Sequence, residues 1–315
     1  MLDFSSATRL ASLLKALYDL GYHFVTPTPV THALVLRRAS RREARSLMDV
    51  LGWSLPFREE ILGAEVFTLL SEARILSRTN DGLWRSVIRV SSINGFLFLH
   101  SAFPTDARDA VFFGPDSYRF ANAITAELAR EGVGYGGHIL DIGTGSGVGA
   151  LVAAASCPGA LITMTDINPK AMAFALINTQ AAGVTAQGIV APDLADVRGE
   201  IDLAMANPPY IVDPAGRAYR DGGDEHGAAV ALDMTKMVLP RLAVGGRFLL
   251  YTGSAIIDGS DPLHAHLADI AAQASCSLRY REVDPDVFGE ELSNSAYHDV
   301  DRIAVVVAIF TAGQG

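Results

Sequence analysis

Leu140-Asp141-Ile142-Gly143-Thr144-Gly145-Ser146-Gly147 is the stretch that decides the fold. Apolar residues on both sides of one aspartate read as a strand. The glycines that follow read as a tight turn, and small apolar residues from Val148 onward read as a helix. Glycines at 143, 145, 147 and 149 let the backbone approach a ligand, because no Cβ intrudes. The pattern alone is weak: Gly145, Gly147 and Ala150 also fit a dinucleotide fingerprint. Outward from this loop, strand-like and helix-like segments alternate. The strand candidates are His138–Ile142, Leu161–Ile167, Gly188–Ala191, Ile201–Ala206, Arg247–Thr252, Leu278–Val283 and Arg302–Phe310. Ala171–Ala182 and Ala228–Leu239 are the clearest helices between them. Several strands are apolar throughout, as in a sheet covered on both faces. The expected fold is α/β, a Rossmann-like seven-stranded doubly wound sheet whose ligands sit at the C-terminal strand ends.

The first hundred residues read differently. Leu13, Leu14, Leu17 and Leu20 fall at helical spacing before Gly21. Ser40 is a candidate cap for a helix through Arg45 to Leu51, and a third helix covers Ala64 to Ile75. Trp84–Val90 alternates like a strand. Asn94-Gly95 is a hairpin signal, with Phe96–Leu99 as the returning strand. A small α+β module of winged-helix-like kind is expected over 1–105, ahead of the α/β domain over 106–315.

Composition narrows the function classes. In 315 residues the formal net charge is −10, split as +3 over positions 1–100 and −13 over the rest. An acidic main body does not favour wrapping a long nucleic acid, whose affinity rests on neutralised phosphates. The basic cluster Arg37, Arg38, Arg41, Arg42 and Arg45 reads as a solvated helix face. Two cysteines exclude a disulfide framework and a cysteine-based zinc site, and no metal is expected. No apolar run is long enough for a membrane span, and Met1-Leu2-Asp3-Phe4 does not open a signal peptide. A reducing cytoplasm fits these features.

Acidic residues make the glycine loop specific. Asp141, ahead of the first glycine, suits a cationic ligand group and would repel a pyrophosphate. Asp166 ends the next strand, where a carboxylate can accept from both ribose hydroxyls. Asp193 follows the third strand and can accept from an adenine amino group; its other reading is a local cap. Three carboxylates at successive strand ends describe a cationic, phosphate-free adenosine cofactor, S-adenosylmethionine.

Asn207-Pro208-Pro209-Tyr210 follows the strand Ile201–Ala206. Consecutive prolines end a strand abruptly and push Asn207 into an extended conformation. The corner offers an amide oxygen and backbone carbonyls for the two hydrogens of a planar –NH2 group, and an aromatic ring beside them.

Together these motifs resemble class I S-adenosylmethionine-dependent methyltransferases. Within them the chain is most similar to the Asn-Pro-Pro-Tyr branch of release-factor glutamine and N6-adenine methyltransferases. The resemblance covers roughly residues 110–310. It implies that Asn207 and the Pro208 carbonyl hold the acceptor nitrogen, that Tyr210 packs on the acceptor, and that Pro209 shapes the turn. The implied cofactor set is Asp141, Gly143, Thr144, Gly145, Gly147, Asp166, Ile167, Asp193 and Asn207. Phe112–Tyr118 corresponds to a segment leading into a helix over the cofactor, with Asp116 or Ser117 as its cap. Tyr118, Pro209, Tyr210, Arg220 and His226 are the expected acceptor contacts, Arg220 for a carboxylate and His226 for a proton. Asp284–Glu291 and Tyr297–Asp299 form a polar insertion expected near the same pocket. His264 and His266, two apart on a helix, should face different ways. The acceptor stays open between a protein glutamine, a nucleobase and a small molecule. A nicotinamide-dependent dehydrogenase and a non-catalytic cofactor-fold protein are the competing classes, and the oligomeric state is not legible.

Overall fold

The computed structural model describes residues 4–213, 216, 217 and 219–313. The first three residues, on which the leader reading partly rests, lie outside that set. Two compact units emerge. The first comprises Met1–Ala121, Gly145–Leu151 and Asn168–Ala186; the second takes the remaining segments.

The first unit opens with α1 (Phe4–Asp19), α2 (Pro29–Leu36), α3 (Leu47–Leu51) and α4 (Ala64–Glu72). Two antiparallel ribbons follow: β1 (Leu76–Arg78) with β2 (Trp84–Ser86), and β3 (Ile88–Ile93) with β4 (Phe96–Ser101). The Asn94-Gly95 hairpin forms as expected, both residues having positive φ. The single strand expected over 84–90 is two strands broken at Val87, because Ser86 Oγ donates to the Ile88 carbonyl and turns the chain. Leu10, Leu13, Leu14 and Leu17 are buried, but Leu20 is 65% exposed, since α1 ends at Asp19. No helix starts at Ser40. Asp49 accepts from the Arg45 N–H and pairs with Arg41, which holds this stretch as a turn, and Ser46 caps α3 instead. The arginine cluster is therefore not one helix face.

A later helix, α7 (Pro169–Ala181), completes this unit by packing on α1 and β4. Asn168 caps α7 through Lys170 N–H (3.0 Å), and Pro169 occupies its first turn. Within α7, fully buried Asn178 accepts from Leu99 N–H (2.9 Å) and donates to the carbonyls of Leu99 (3.3 Å) and Ser146 (2.8 Å). The amide stands in for a strand beside β4, satisfying an edge that would otherwise be orphaned.

Arg89 on β3 is 2% exposed and has no carboxylate partner among the described residues. Its Nε donates to the Ser101 carbonyl (3.1 Å) and its Nη1 lies 3.4 Å from His32 Nδ1. That contact requires neutral His32, whose Nε2–H then donates to the Trp53 carbonyl (3.0 Å). Burial, reinforced by the Arg89 charge, lowers the His32 pKa to about 4. The same two causes hold buried His100, stacked on Phe113, well below its usual value.

The second unit carries one seven-stranded sheet. Its strands are β5 (His138–Ile142), β6 (Leu161–Asp166), β7 (Ala186–Val190), β8 (Ile201–Ala206), β9 (Leu242–Ile256), β10 (Cys276–Asp284) and β11 (Arg302–Ala312). The order is β10-β11-β9-β8-β5-β6-β7. Strands β6, β5, β8 and β9 run parallel, and β11 is antiparallel to both its neighbours. From β5 the chain steps to β6 and β7 on one side, then crosses back to β8 and β9. The β5–β8 seam is therefore the topological switch point, where ligands bind in such sheets. The helices named in the chain's later part are α5 (Pro115–Arg130), α6 (Val148–Ser156), α8 (Asp224–Gly227), α9 (Ala229–Val238) and α10 (Pro262–Gln273). The β9 strand runs well past the expected 247–252, because β11 pairs with it out to Ile256. One sheet face is sealed by Phe248, Phe310, Leu250 and Leu267. At the opposite strand ends, buried Glu127 accepts from Arg247 (2.7 Å), Arg279 (2.6 Å) and Arg130 (2.7 Å). Burial pushes this carboxyl up, but the three arginines outweigh it and hold it down at about 2. Among the described residues, no helix is long and apolar enough to cross a membrane.

The two buried histidines predict an acid-sensitive first unit. A base whose folded pKa is depressed binds fewer protons folded than unfolded, so stability is lost as pH falls from about 6.5 towards 4. Chemical denaturation at pH 7 and pH 5 should show a loss of about 1–2 kcal/mol. His32→Gln should remove the His32 share of that loss and leave the His100 share; an equal slope in the variant would contradict the assignment.

Candidate active site

The parallel register lines up the site. Ile142 pairs with Thr165 on one side and Ala206 on the other. The next residues, Asp166, Gly143 and Asn207, therefore form one row at the C-terminal edge, in the strand order β6-β5-β8. With strands about 4.8 Å apart, the Asp166 and Asn207 backbones stand about 10 Å apart with Gly143 between them. A Cβ built at Gly143 meets nothing within 4 Å, so the row borders open space on its middle strand. Gly143, Gly145 and Gly147 all have positive φ, which bends the loop sharply out of β5. The Thr144 N–H donates to the Thr165 carbonyl (3.0 Å), pinning the loop to β6.

Asp141 lies two residues below the row and is 1% exposed. Thr144 Oγ1 donates to its Oδ2 at 2.6 Å, the short distance expected for a charged acceptor. A buried carboxylate under a glycine turn sets a negative potential at the mouth of the loop. Asp166 is half-buried, and Ile167 beside it is 59% exposed. An exposed isoleucine at a strand end offers an apolar flank for a flat ring. Asp193 is exposed, and its Oδ1 accepts from Ala195 N–H (2.9 Å), the local cap.

The Asn207–Tyr210 corner is more tightly held than its sequence suggests. Asn207 is half-buried and, among the described residues, its side chain has no hydrogen-bond partner. Tyr210 is 7% exposed. A Cβ built on Gly253 of β9 would lie 2.2 Å from the Tyr210 ring, so the ring lies flat on bare backbone. A Cβ on Gly227 would lie 2.4 Å from the Tyr210 carbonyl. Phe288 completes the nest at 6.0 Å between ring centroids. The ring is thus packed mainly against this protein's own residues. The segment beyond is tied back: the Tyr297 hydroxyl accepts from Val212 N–H (2.8 Å), and Asn294 Nδ2 donates to the Val212 carbonyl (3.4 Å). The polar insertion over 289–299 therefore packs on the exit from the corner. Gly253 was missed in the sequence, although a glycine inside an apolar strand is a recognised sign of close backbone approach.

Other expected contacts are already engaged. Arg220 pairs with Glu291 through Nη2, and its buried Nε lies 3.9 Å from Asp213 Oδ1. Holding an acceptor carboxylate would require breaking that arrangement. His226 Nε2 lies 3.0 Å from Asp299 Oδ1. Glu225 and His226 both adopt left-handed backbone, φ 56° and 55°, at a cost of order 1–3 kcal/mol each. Tyr118 belongs to the first unit, where its hydroxyl accepts from Thr26 N–H (2.9 Å). Asp116 and Ser117 do not cap α5, which starts at Pro115; they occupy its first turn, and Ser117 Oγ accepts from Gly114 N–H (3.4 Å). His264 stacks on Tyr280 while His266 faces Glu225, so the two point apart. Among the described residues, no group of three or more metal-type ligands occurs.

The methyltransferase small domain family matches residues 120–220, a span that holds the glycine loop, Asp166 and the Asn207 corner. That span is similar to a methyltransferase domain. Curated relatives agree. The chain is 38% identical to a release factor glutamine methyltransferase of Rhodospirillum rubrum, over 57% of this chain and 58% of that protein. It is 32% identical to the enzyme of that name from Deinococcus radiodurans, over 49% of this chain and 55% of that protein. The chain thus spans little more than half the length of these relatives. Among solved structures, Trm5b of Pyrococcus abyssi shares the fold at TM-score 0.51 and 15% identity, over 74% of this chain and 59% of that one.

The packing of the Asn207–Tyr210 corner is testable. Gly253→Ala should force the Tyr210 ring off β9 and destabilise the protein by about 1–3 kcal/mol. Adding Tyr210→Ala should recover part of that loss in a double-mutant cycle read by chemical denaturation. Strict additivity would show that the two positions do not meet.

Proposed function

We propose that this chain transfers a methyl group from S-adenosylmethionine to a planar amide nitrogen, a glutamine side chain of a protein acceptor. The row Asp166–Gly143–Asn207 carries the reading. It sets a carboxylate suited to ribose hydroxyls and an amide suited to an –NH2 group on either side of an open glycine. Bound there, S-adenosylmethionine would supply an activated methyl group on a sulfonium. The residues fit that molecule and not a dinucleotide, because buried Asp141 under the loop would repel a pyrophosphate.

Asn207 Oδ1 and the Pro208 carbonyl would each accept one hydrogen of the acceptor –NH2. Both raise electron density on a nitrogen whose lone pair is otherwise delocalised, and both stabilise the positive charge that develops there. No base is needed beforehand, since the proton can leave to water after transfer. Tyr210, locked on Gly253, would fix the height of the corner and exclude water from one side. Asp166 would bind and orient the ribose, and Asp141 would favour the cofactor's cationic end.

The protein acceptor is supported by the names of the two relatives and by the charge of the chain, −13 beyond position 100. A nucleobase is the second reading, favoured by 29% identity to a ribosomal RNA small subunit methyltransferase C of Serratia proteamaculans over 34% of that protein. A small-molecule acceptor is a third outcome of the test below. The two cysteines, Cys157 buried and Cys276 half-buried, are both unpaired, which suits a reducing cytoplasm.

Incubation with methyl-labelled S-adenosylmethionine and separated protein, nucleic-acid and small-molecule pools tests the acceptor. Label on a protein side-chain amide is expected; label confined to another pool would overturn it. With the labelled acceptor in hand, Asn207→Ala should lower kcat about 100-fold or more. Its cofactor Kd should stay within about threefold of the parent, a difference of less than 1 kcal/mol. Equal losses in both would remove Asn207 from the acceptor role.

A further inference from the structure

We propose that a cavity beyond β9, which shares His226 but no other residue with the set named above for methyl transfer, binds a compact apolar amine. The cavity has a volume of about 220 Å3. Its walls are Ala255 near the end of β9, Ile257 just past it, and Pro262 and Leu263 at the start of α10. An apolar cavity of about 150 Å3 is known to hold benzene, so an aromatic ring or a branched aliphatic group fits this one.

The rim supplies the polar end. Glu225, His226 and His266 line it. His226 Nε2 lies 3.0 Å from Asp299 Oδ1, and His266 Nδ1 lies 3.4 Å from Glu225 Oε2. With its Nε2–H given to Asp299, neutral His226 has Nδ1 as an acceptor, and His266 faces the Glu225 carboxylate. The Glu225 carboxylate and the two imidazoles line the mouth, Asp299 stands behind His226, and among the described residues no lysine or arginine lines it. A protonated amine on an apolar body answers both halves: its ammonium donates to the rim while its body leaves water. An anion of the same shape would meet acceptors only.

Backbone strain is a second, independent observation. Glu225 and His226 are consecutive non-glycine residues in left-handed backbone, and that conformation brings both to the rim. Strain of this kind persists where the surrounding structure enforces it and clusters at binding sites. It is enforced here from one side by Gly227, which abuts the Tyr210 carbonyl. From the other side, the Tyr297 hydroxyl reaches the His226 carbonyl at 3.5 Å.

The test is a titration of the full chain, with 13C-labelled isoleucine and leucine methyls, by phenethylamine, 2-phenylethanol and phenylacetate. Saturable shifts of the Ile257 and Leu263 methyls are expected with phenethylamine, at least tenfold tighter than with phenylacetate. The pair Glu225→Gln and Asp299→Asn should cut that preference to under twofold. Ala255→Leu, which fills the cavity, should abolish amine binding, and Ile257→Phe serves the same purpose if Ala255→Leu does not fold. Equal affinity for all three probes, no saturable shift at Ile257 and Leu263, or undiminished amine binding in a filled cavity would each overturn the proposal. Neither cofactor nor acceptor enters this measurement, so it stands or falls apart from the methyl-transfer reading.

Discussion

The parallel pairing of β6, β5 and β8 is the constraint on which the rest of the second unit depends. Parallel strands share one direction, so their C-terminal ends meet at one edge. The register then decides which side chains stand level. A slip of one residue in either pair would turn Asp166 or Asn207 to the other face of the sheet. The apolar runs of β5, β6 and β8 are buried along nearly their whole length and fix these strands in the core. The chemistry at the edge is thus secured by packing several residues below it.

A second constraint acts at right angles to the first. Asn207 can present its amide only if the corner behind it does not move. Two prolines stiffen the backbone. The Tyr210 ring, seated on Gly253, ties the corner to β9, and Tyr297 ties the following segment to the 289–299 insertion. The strained pair Glu225–His226 directly precedes Gly227, which abuts the Tyr210 carbonyl, and both residues of the pair line the neighbouring cavity.

Much of this was legible in the sequence. The Asp141–Gly147 loop and the Asn207–Tyr210 corner announce themselves because each breaks a strand with residues that serve no other purpose. Local chemistry of that kind survives folding unchanged. Less legible were features fixed by distant partners. Asp49 displaced the expected helix start from Ser40 to Ser46. Ser86 broke one expected strand into two. Asn178 reads as an ordinary helical residue until β4 lies beside it, and Arg220 looks available until Glu291 meets it. Tyr210 was expected to serve a ligand, yet it is mostly buried by a glycine 43 positions later. In each case a single residue's environment is set by a segment that periodicity cannot connect to it.

The most direct measurement is calorimetric titration of the intact chain with S-adenosylmethionine and, separately, with NAD. The row at the β5–β8 switch point predicts saturable binding of S-adenosylmethionine, none of NAD, and at least tenfold weaker cofactor binding in Asp166→Ala. Binding of NAD, or undiminished S-adenosylmethionine affinity in Asp166→Ala, would contradict the site as described.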